Sequence, residues 1–135
     1  MASNTTNAAD DGPARRRWLD VLANATAFYP LLVCASLYGF WCTAWWQLGH
    51  PPRPSWDDPK DVAGTAWLHE LSELLLAGLL PGFLALVVVQ VARVLRDHRQ
   101  PWRALGRAAV GCAVWAGAFV LLAADPGDVL LWFFD

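Results

Sequence analysis

Three stretches of the chain carry no charged residue, and they define the architecture that the sequence predicts. Residues 21–52, 74–92 and 108–124 contain no Asp, Glu, Lys or Arg. A helix rises about 1.5 Å per residue and the hydrocarbon core of a bilayer is about 30 Å thick, so each stretch is long enough, or nearly so, to cross it. The pattern predicts an all-α integral membrane protein with three transmembrane helices, over residues 20–48, 66–95 and 103–124.

Composition supports this prediction over a soluble bundle or a membrane barrel. The chain is 56% hydrophobic and 16% charged, whereas soluble domains are about half apolar and about a quarter charged. The apolar stretches have neither the polar stripe of a surface helix nor the alternation of a barrel strand. The lipid bilayer is therefore a predicted partner, and a net charge of −2 gives no reason to expect a nucleic acid.

The basic residues predict the orientation of the helices. They precede the first helix or surround the second connection, residues 96–102, except for Arg53 and Lys60 in the first connection, residues 49–65. Cytoplasmic loops are enriched in Arg and Lys. The N-terminus and the 96–102 connection are therefore predicted to be cytoplasmic and the 49–65 loop external, so that the N-terminus is inside and the C-terminus outside.

The sequence also makes predictions for the two segments outside the 18–124 transmembrane domain. Residues 1–17 are small and polar before their arginines, which predicts a disordered cytoplasmic tail. Residues 125–135 begin with the turn signal DPGD, and the apolar residues after it are too few to span a bilayer, so an external apolar tail is expected at the interface or against another subunit. The sequence has no Ile and far more Arg than Lys. This bias is typical of a GC-rich genome, and the predicted location is a bacterial inner membrane.

The 49–65 loop has two interpretations. Asp58 precedes Pro59, which is the arrangement of an N-cap followed by proline at the first helical position, so a short helix is predicted near 59–63. In the structural interpretation these residues only stiffen a turn. In the functional interpretation the loop presents an external docking surface, made of Trp56, Asp57, Asp58 and Lys60.

The same loop carries a family resemblance. Residues 47–62 read QLGHPPRPSWDDPKDV, in which Leu48 and Gly49 precede a proline-rich segment and Asp-Pro-Lys at 58–60. This arrangement resembles a loop of uncharacterised small multi-pass bacterial membrane proteins. In those proteins an aromatic residue stands before the first proline, where this chain has His50. The resemblance is confined to this loop and implies no activity.

The sequence HELSE at 69–73 is the sharpest candidate for chemistry. His69, Glu70 and Glu73 lie within one helical turn of each other, near the predicted membrane boundary. Ionisable groups at that depth are candidates for function, although headgroup water can also hold them. The HExxH zinc motif is incomplete because position 73 is Glu. His50 and His69 are weak candidates for holding a haem or a metal ion, and no cofactor is predicted.

Small residues at a spacing of four predict where helices approach each other. Gly78 and Gly82 form a GxxxG motif in the second predicted helix, and Ala109, Ala113 and Gly117 line the third. Small side chains let helix backbones come close in lipid. These five positions are therefore the predicted helix-packing residues.

Two hypotheses about function follow. In the first, the chain is a small non-catalytic subunit or scaffold that packs against a larger membrane protein or against itself. In the second, it is a proton-, ion- or redox-handling subunit that uses His69, Glu70 and Glu73. The burial of Glu73 discriminates between them, because a proton-handling carboxylate must face protein rather than headgroup water.

Overall fold

The computed structural model describes residues 13–96 and 101–135, and every regular element in those ranges is helical. Residues 1–12 of the predicted disordered tail lie outside the described residues, and residues 13–17 are helical rather than disordered. A single 3-10 turn, Pro59–Asp61, interrupts the 49–65 loop. The five α-helices are α1 Pro13–Leu48, α2 Ala66–Ala77, α3 Leu79–Arg96, α4 Pro101–Ala124 and α5 Val129–Phe133.

The all-α class and the three long apolar helices are confirmed. The segments that are long and apolar enough to cross a membrane are Arg17–Leu48, Leu79–Arg96 and Trp102–Ala124. Helix α1 begins at Pro13, earlier than the predicted start near residue 20, because proline is tolerated in a first turn and Ala and Arg favour helix. Its 36 residues extend over about 54 Å, which exceeds the thickness of the hydrocarbon core.

The prediction of one helix over residues 66–95 is wrong. The chain forms α2 and α3, which meet at Gly78. Pro81 has no backbone N–H, so it cannot donate to the carbonyl of Ala77, and the hydrogen-bond ladder is broken at this junction. The 12 residues of α2 are too few to span a bilayer, and only the 18-residue α3 is a candidate span.

Helix α1 is the central element of the bundle and packs against the other four helices. Its buried positions recur every three or four residues, which places them on one helix face. That face carries Ala23, Ala27, Val33, Leu37, Phe40 and Ala44. We call the end of the bundle that holds the 49–65 loop and α5 the loop end, and the end that holds Arg93 and Arg96 the arginine end.

Helix α4 turns a different face to the bundle from the one that was predicted. Its buried residues are Ala104, Gly111, Trp115, Ala118 and Leu122. The predicted packing residues Ala109, Ala113 and Gly117 lie on the opposite face and are exposed. The expectation that they join helices of this chain is therefore wrong, because the interior side of α4 is the one that carries Trp115 and Leu122 together with a different set of small residues.

Residues 125–135 fold back onto the bundle, which corrects the expectation that they lie at the membrane interface or against another subunit. Val129, Trp132 and Phe133 of α5 are buried against the loop end. Asp125, Gly127 and Asp128 adopt positive φ angles of 38°, 88° and 55°, which reverse the chain after α4. The side chains of Val129, Trp132 and Phe133 are thereby removed from solvent.

Candidate functional sites

The aspartates of the 49–65 loop are engaged in holding the loop together. Asp57 accepts a hydrogen bond from the backbone N–H of Arg53 at 2.9 Å, and its carboxylate lies 3.8 Å from Nδ1 of His50. Asp58 caps the 3-10 turn by accepting from the N–H of Lys60 at 2.8 Å, so the predicted N-cap is confirmed. Both carboxylates therefore have structural roles within the loop.

The remaining members of the predicted docking surface do project from the loop. The Trp56 side chain is 83% exposed, and Lys60 is also exposed. The loop is thus a stiff, internally bonded segment with an aromatic and a cationic side chain on its surface. An indole at such a position is typical of a membrane interface as well as of a protein contact.

His69 is buried in an aromatic cluster at the loop end. Its imidazole stacks on the ring of Phe133, with centroids 4.7 Å apart and an angle of 21° between the planes. The ring of Phe40 meets it edge-on at 5.9 Å. Only 8% of the His69 side chain is exposed. This histidine therefore serves as a packing surface for α5, a role that its position in the sequence did not reveal.

The carboxylates beside His69 face outward. Glu70 is exposed, and 58% of the Glu73 side chain is exposed. Oε1 of Glu73 lies 3.8 Å from Nδ1 of His69, which is close enough for an ion pair but too long for a hydrogen bond. The structure therefore does not gather His69, Glu70 and Glu73 into one buried polar site.

The two weak cofactor candidates have different surroundings. His50 makes its contacts within the loop, with the carbonyl of Pro51 at 3.0 Å and with Asp57. His69 packs between Phe40 and Phe133. Among the described residues there is no group of three or more His, Cys, Asp or Glu side chains that could hold a metal ion.

Gly78 and Gly82 lie against Tyr29 of α1. A Cβ atom on Gly78 would lie 2.0 Å from the Tyr29 hydroxyl oxygen, and one on Gly82 would lie 3.1 Å from Cδ1 of the same ring. The Tyr29 hydroxyl donates a hydrogen bond to the carbonyl of Leu75 at 2.7 Å. Leu75 lies in the last turn of α2, where helix carbonyls lack partners within the helix. The bond from Tyr29 satisfies one of these carbonyls and joins α1 to the end of α2.

Two tryptophans connect the bundle in ways that the sequence did not indicate. Trp115, in the middle of α4, donates from its indole N–H to the carbonyl of Thr26 in α1 at 2.9 Å. Trp132 of α5 donates to the carbonyl of Asp57 in the loop at 2.6 Å. Both side chains are fully buried. A buried indole needs a hydrogen-bond acceptor. In the sequence, the only sign that Trp115 is buried was its position away from either end of its helix.

Comparison with known proteins identifies no relative of this chain. No protein-family model, no curated protein and no solved structure matches the chain.

Proposed function

We propose that this protein is a small non-catalytic membrane subunit that packs against another membrane protein through the outward face of α4. The observation that carries the proposal is the composition of that face. It is exposed, and small residues follow one another along most of its length. We call it the α4 small-residue face, and it consists of Gly106, Ala109, Ala113, Ala116 and Gly117.

The outward face of α3 provides the contrast. Its exposed residues are mostly large and apolar, and they include Leu80, Leu84, Val88, Val91 and Leu95. Large aliphatic side chains suit contact with lipid chains, whereas rows of Gly and Ala let a second helix approach closely and gain van der Waals contact. The difference between the two helices supports a lipid-facing role for α3 and a protein-facing role for α4.

The exposure of the carboxylates argues against the alternative function. A proton- or ion-handling site near a membrane boundary needs ionisable groups that face protein or an internal cavity. Glu70 and Glu73 instead face outward, and His69 is enclosed by aromatic rings. This arrangement favours the packing function over proton, ion or redox handling.

The proposed location is a bacterial cytoplasmic membrane, with the arginine end inside. Supporting this orientation, Arg93 and Arg96 lie at the end of α3, and Arg93 pairs with Asp20 near the start of α1. The loop end carries most of the acidic residues in the part of the chain that the structure describes. Under the positive-inside rule the 49–65 loop and α5 are then external.

Cysteine labelling with a membrane-impermeant reagent tests the orientation. In a variant without native cysteines, Ser55→Cys in the loop is expected to react in intact cells. Gln100→Cys, in the connection between α3 and α4, is expected to react only after permeabilisation. The opposite pattern of labelling would reverse the proposed topology.

Photo-crosslinking tests the α4 small-residue face. A photoreactive amino acid at Val120, which is exposed on the same side of α4, is expected to form an adduct with another polypeptide in native membranes. Ala113→Leu and Gly117→Leu are expected to reduce that adduct at least several-fold, because the added side chains hold the partner helix away. Nothing lies within 4 Å of a Cβ atom on Gly117, so the unfolding temperature in detergent should not change for Gly117→Leu.

Ala92→Leu on α3 is the matched control, because it places the same larger side chain on an exposed position of the lipid-facing helix. It should leave the adduct intact. Adducts with lipid alone, or equal loss of the adduct in all three variants, would contradict the proposed packing face.

A further inference from the structure

Helix α5 is packed into a groove at the loop end of the bundle. Val129, Trp132 and Phe133 point into the bundle, while Leu131 and Phe134 remain exposed. The ring of Phe133 lies on the imidazole of His69, and the ring of Trp132 lies 5.1 Å from that of Phe40. The rest of the chain thus forms an aromatic groove that fits this segment.

The groove is built from parts of the chain that are distant from α5 in sequence. Its walls come from α1 and α2, and the 49–65 loop closes it. The Trp132 indole reaches a loop carbonyl 75 residues away, and the Asp135 carboxylate accepts a hydrogen bond from the backbone of Ser55. None of these contacts requires that α5 and the groove belong to the same molecule.

The connection between α4 and α5 is short and conformationally costly. Asp125 and Asp128 are non-glycine residues in the left-handed region, with φ angles of 38° and 55°. Most L-residues avoid this conformation because Cβ then crowds the backbone, and Asp adopts it at a smaller cost than other non-glycine residues. Extending residues 125–128 would relieve this strain and allow the connection to reach over about 13 Å. It would also break the hydrogen bonds that the Asp125 carboxylate accepts from the amides of Leu130 and Leu131.

We propose that α5 is an exchangeable segment, which binds the groove of its own chain in the monomer and the groove of a second copy in a swapped dimer. The occupant is argued from the groove itself, since it already holds this sequence with complementary aromatic and polar contacts. A short hinge with two non-glycine residues in the left-handed region favours such an exchange. The surface is distinct from the α4 small-residue face, so the two proposals can fail separately.

Single-cysteine chains test the exchange in a variant without native cysteines. One chain carries Ser55→Cys and the other Asp135→Cys, because the structure brings these two positions together within one copy. When the two purified chains are mixed in liposomes and oxidised with copper phenanthroline, only a link between different molecules can form. A chain that carries both cysteines first verifies that the pair is close enough to link within a molecule.

If the swapped dimer forms, a disulfide-linked band should appear in the mixture. The band should be lost when Trp132→Ala is added to the Asp135→Cys chain. Ala124→Cys, at the end of α4 before the hinge, is the control for random collision. A band from Ser55→Cys with Ala124→Cys as strong as that with Asp135→Cys would overturn the proposal. So would linkage confined to the doubly substituted chain.

Discussion

Gly78→Ala is expected to destabilise the bundle although it adds a single methyl group. The new Cβ would lie 2.0 Å from the Tyr29 hydroxyl oxygen and 2.9 Å from its Cζ atom. Tyr29 must then move, which breaks its 2.7 Å hydrogen bond to Leu75. Overpacking of this kind costs roughly 1–3 kcal/mol. The lost bond costs about 1 kcal/mol more. Thermal unfolding in detergent should show a midpoint lower by several degrees.

Gly39→Ala is the matched control for this prediction. It adds the same methyl group to a glycine of α1, where nothing lies within 4 Å of the new Cβ. An exposed helical glycine replaced by alanine should be neutral or stabilising, by about 0.5–1 kcal/mol. A midpoint for Gly78→Ala equal to that for Gly39→Ala would show that the α1–α2 contact at Tyr29 is not tight.

A double substitution locates the effect of Gly78→Ala on the tyrosine. Tyr29→Phe removes the hydroxyl group that crowds the new Cβ, at the cost of the bond to Leu75. The combined variant should therefore lose less stability than the sum of the two single variants. Residues in direct contact show this kind of non-additivity. Simple additivity would indicate that the methyl group acts through another neighbour.

Trp132→Ala is expected to release α5 without unfolding the long helices. The side chain is fully buried, and its indole donates the bond to Asp57. Truncating a buried tryptophan costs about 3–5 kcal/mol. That loss falls on a helix of five residues, which cannot be stable alone. In the unsubstituted protein the amides of Leu130 and Leu131 donate hydrogen bonds to Asp125. In the variant they should exchange rapidly with solvent deuterium.

Trp56→Ala provides the comparison, since this indole belongs to the same end of the bundle but is largely exposed. It should leave exchange in residues 125–135 unchanged. In both variants the amides of α1, α3 and α4 should keep their protection. If Trp132→Ala and Trp56→Ala gave the same exchange in α5, the buried indole would not be what holds this helix in place.

Local properties of the sequence were sufficient for several parts of the fold. Hydropathy and length predicted three apolar helices, because both quantities are summed along a continuous segment. The Asp58 cap was predictable since a cap and the N–H that it accepts from are only two residues apart. The break before Pro81 is likewise a local effect, because proline interrupts the hydrogen-bond ladder within one turn.

The candidate sites were less predictable because they depend on which face each helix turns inward. The α4 small-residue face and the buried face of the same helix both contain small apolar residues, and hydropathy alone does not distinguish them. His69 appeared as part of a candidate polar site because of its neighbours in sequence, Glu70 and Glu73. In the folded chain its main contacts are instead Phe40 and Phe133.

The amino-acid sequence by itself determined that this protein is helical and that three of its helices are long and apolar enough to cross a membrane. It also determined that Asp58 caps the short helical turn in the 49–65 loop. Only the tertiary structure decided that α2 is held to α1 by Tyr29 and that α5 closes the loop end. The physical reason is the distance along the chain. Tyr29 and Leu75 are 46 residues apart and Trp132 and Asp57 are 75 apart, so these contacts exist only once packing has brought the helices together.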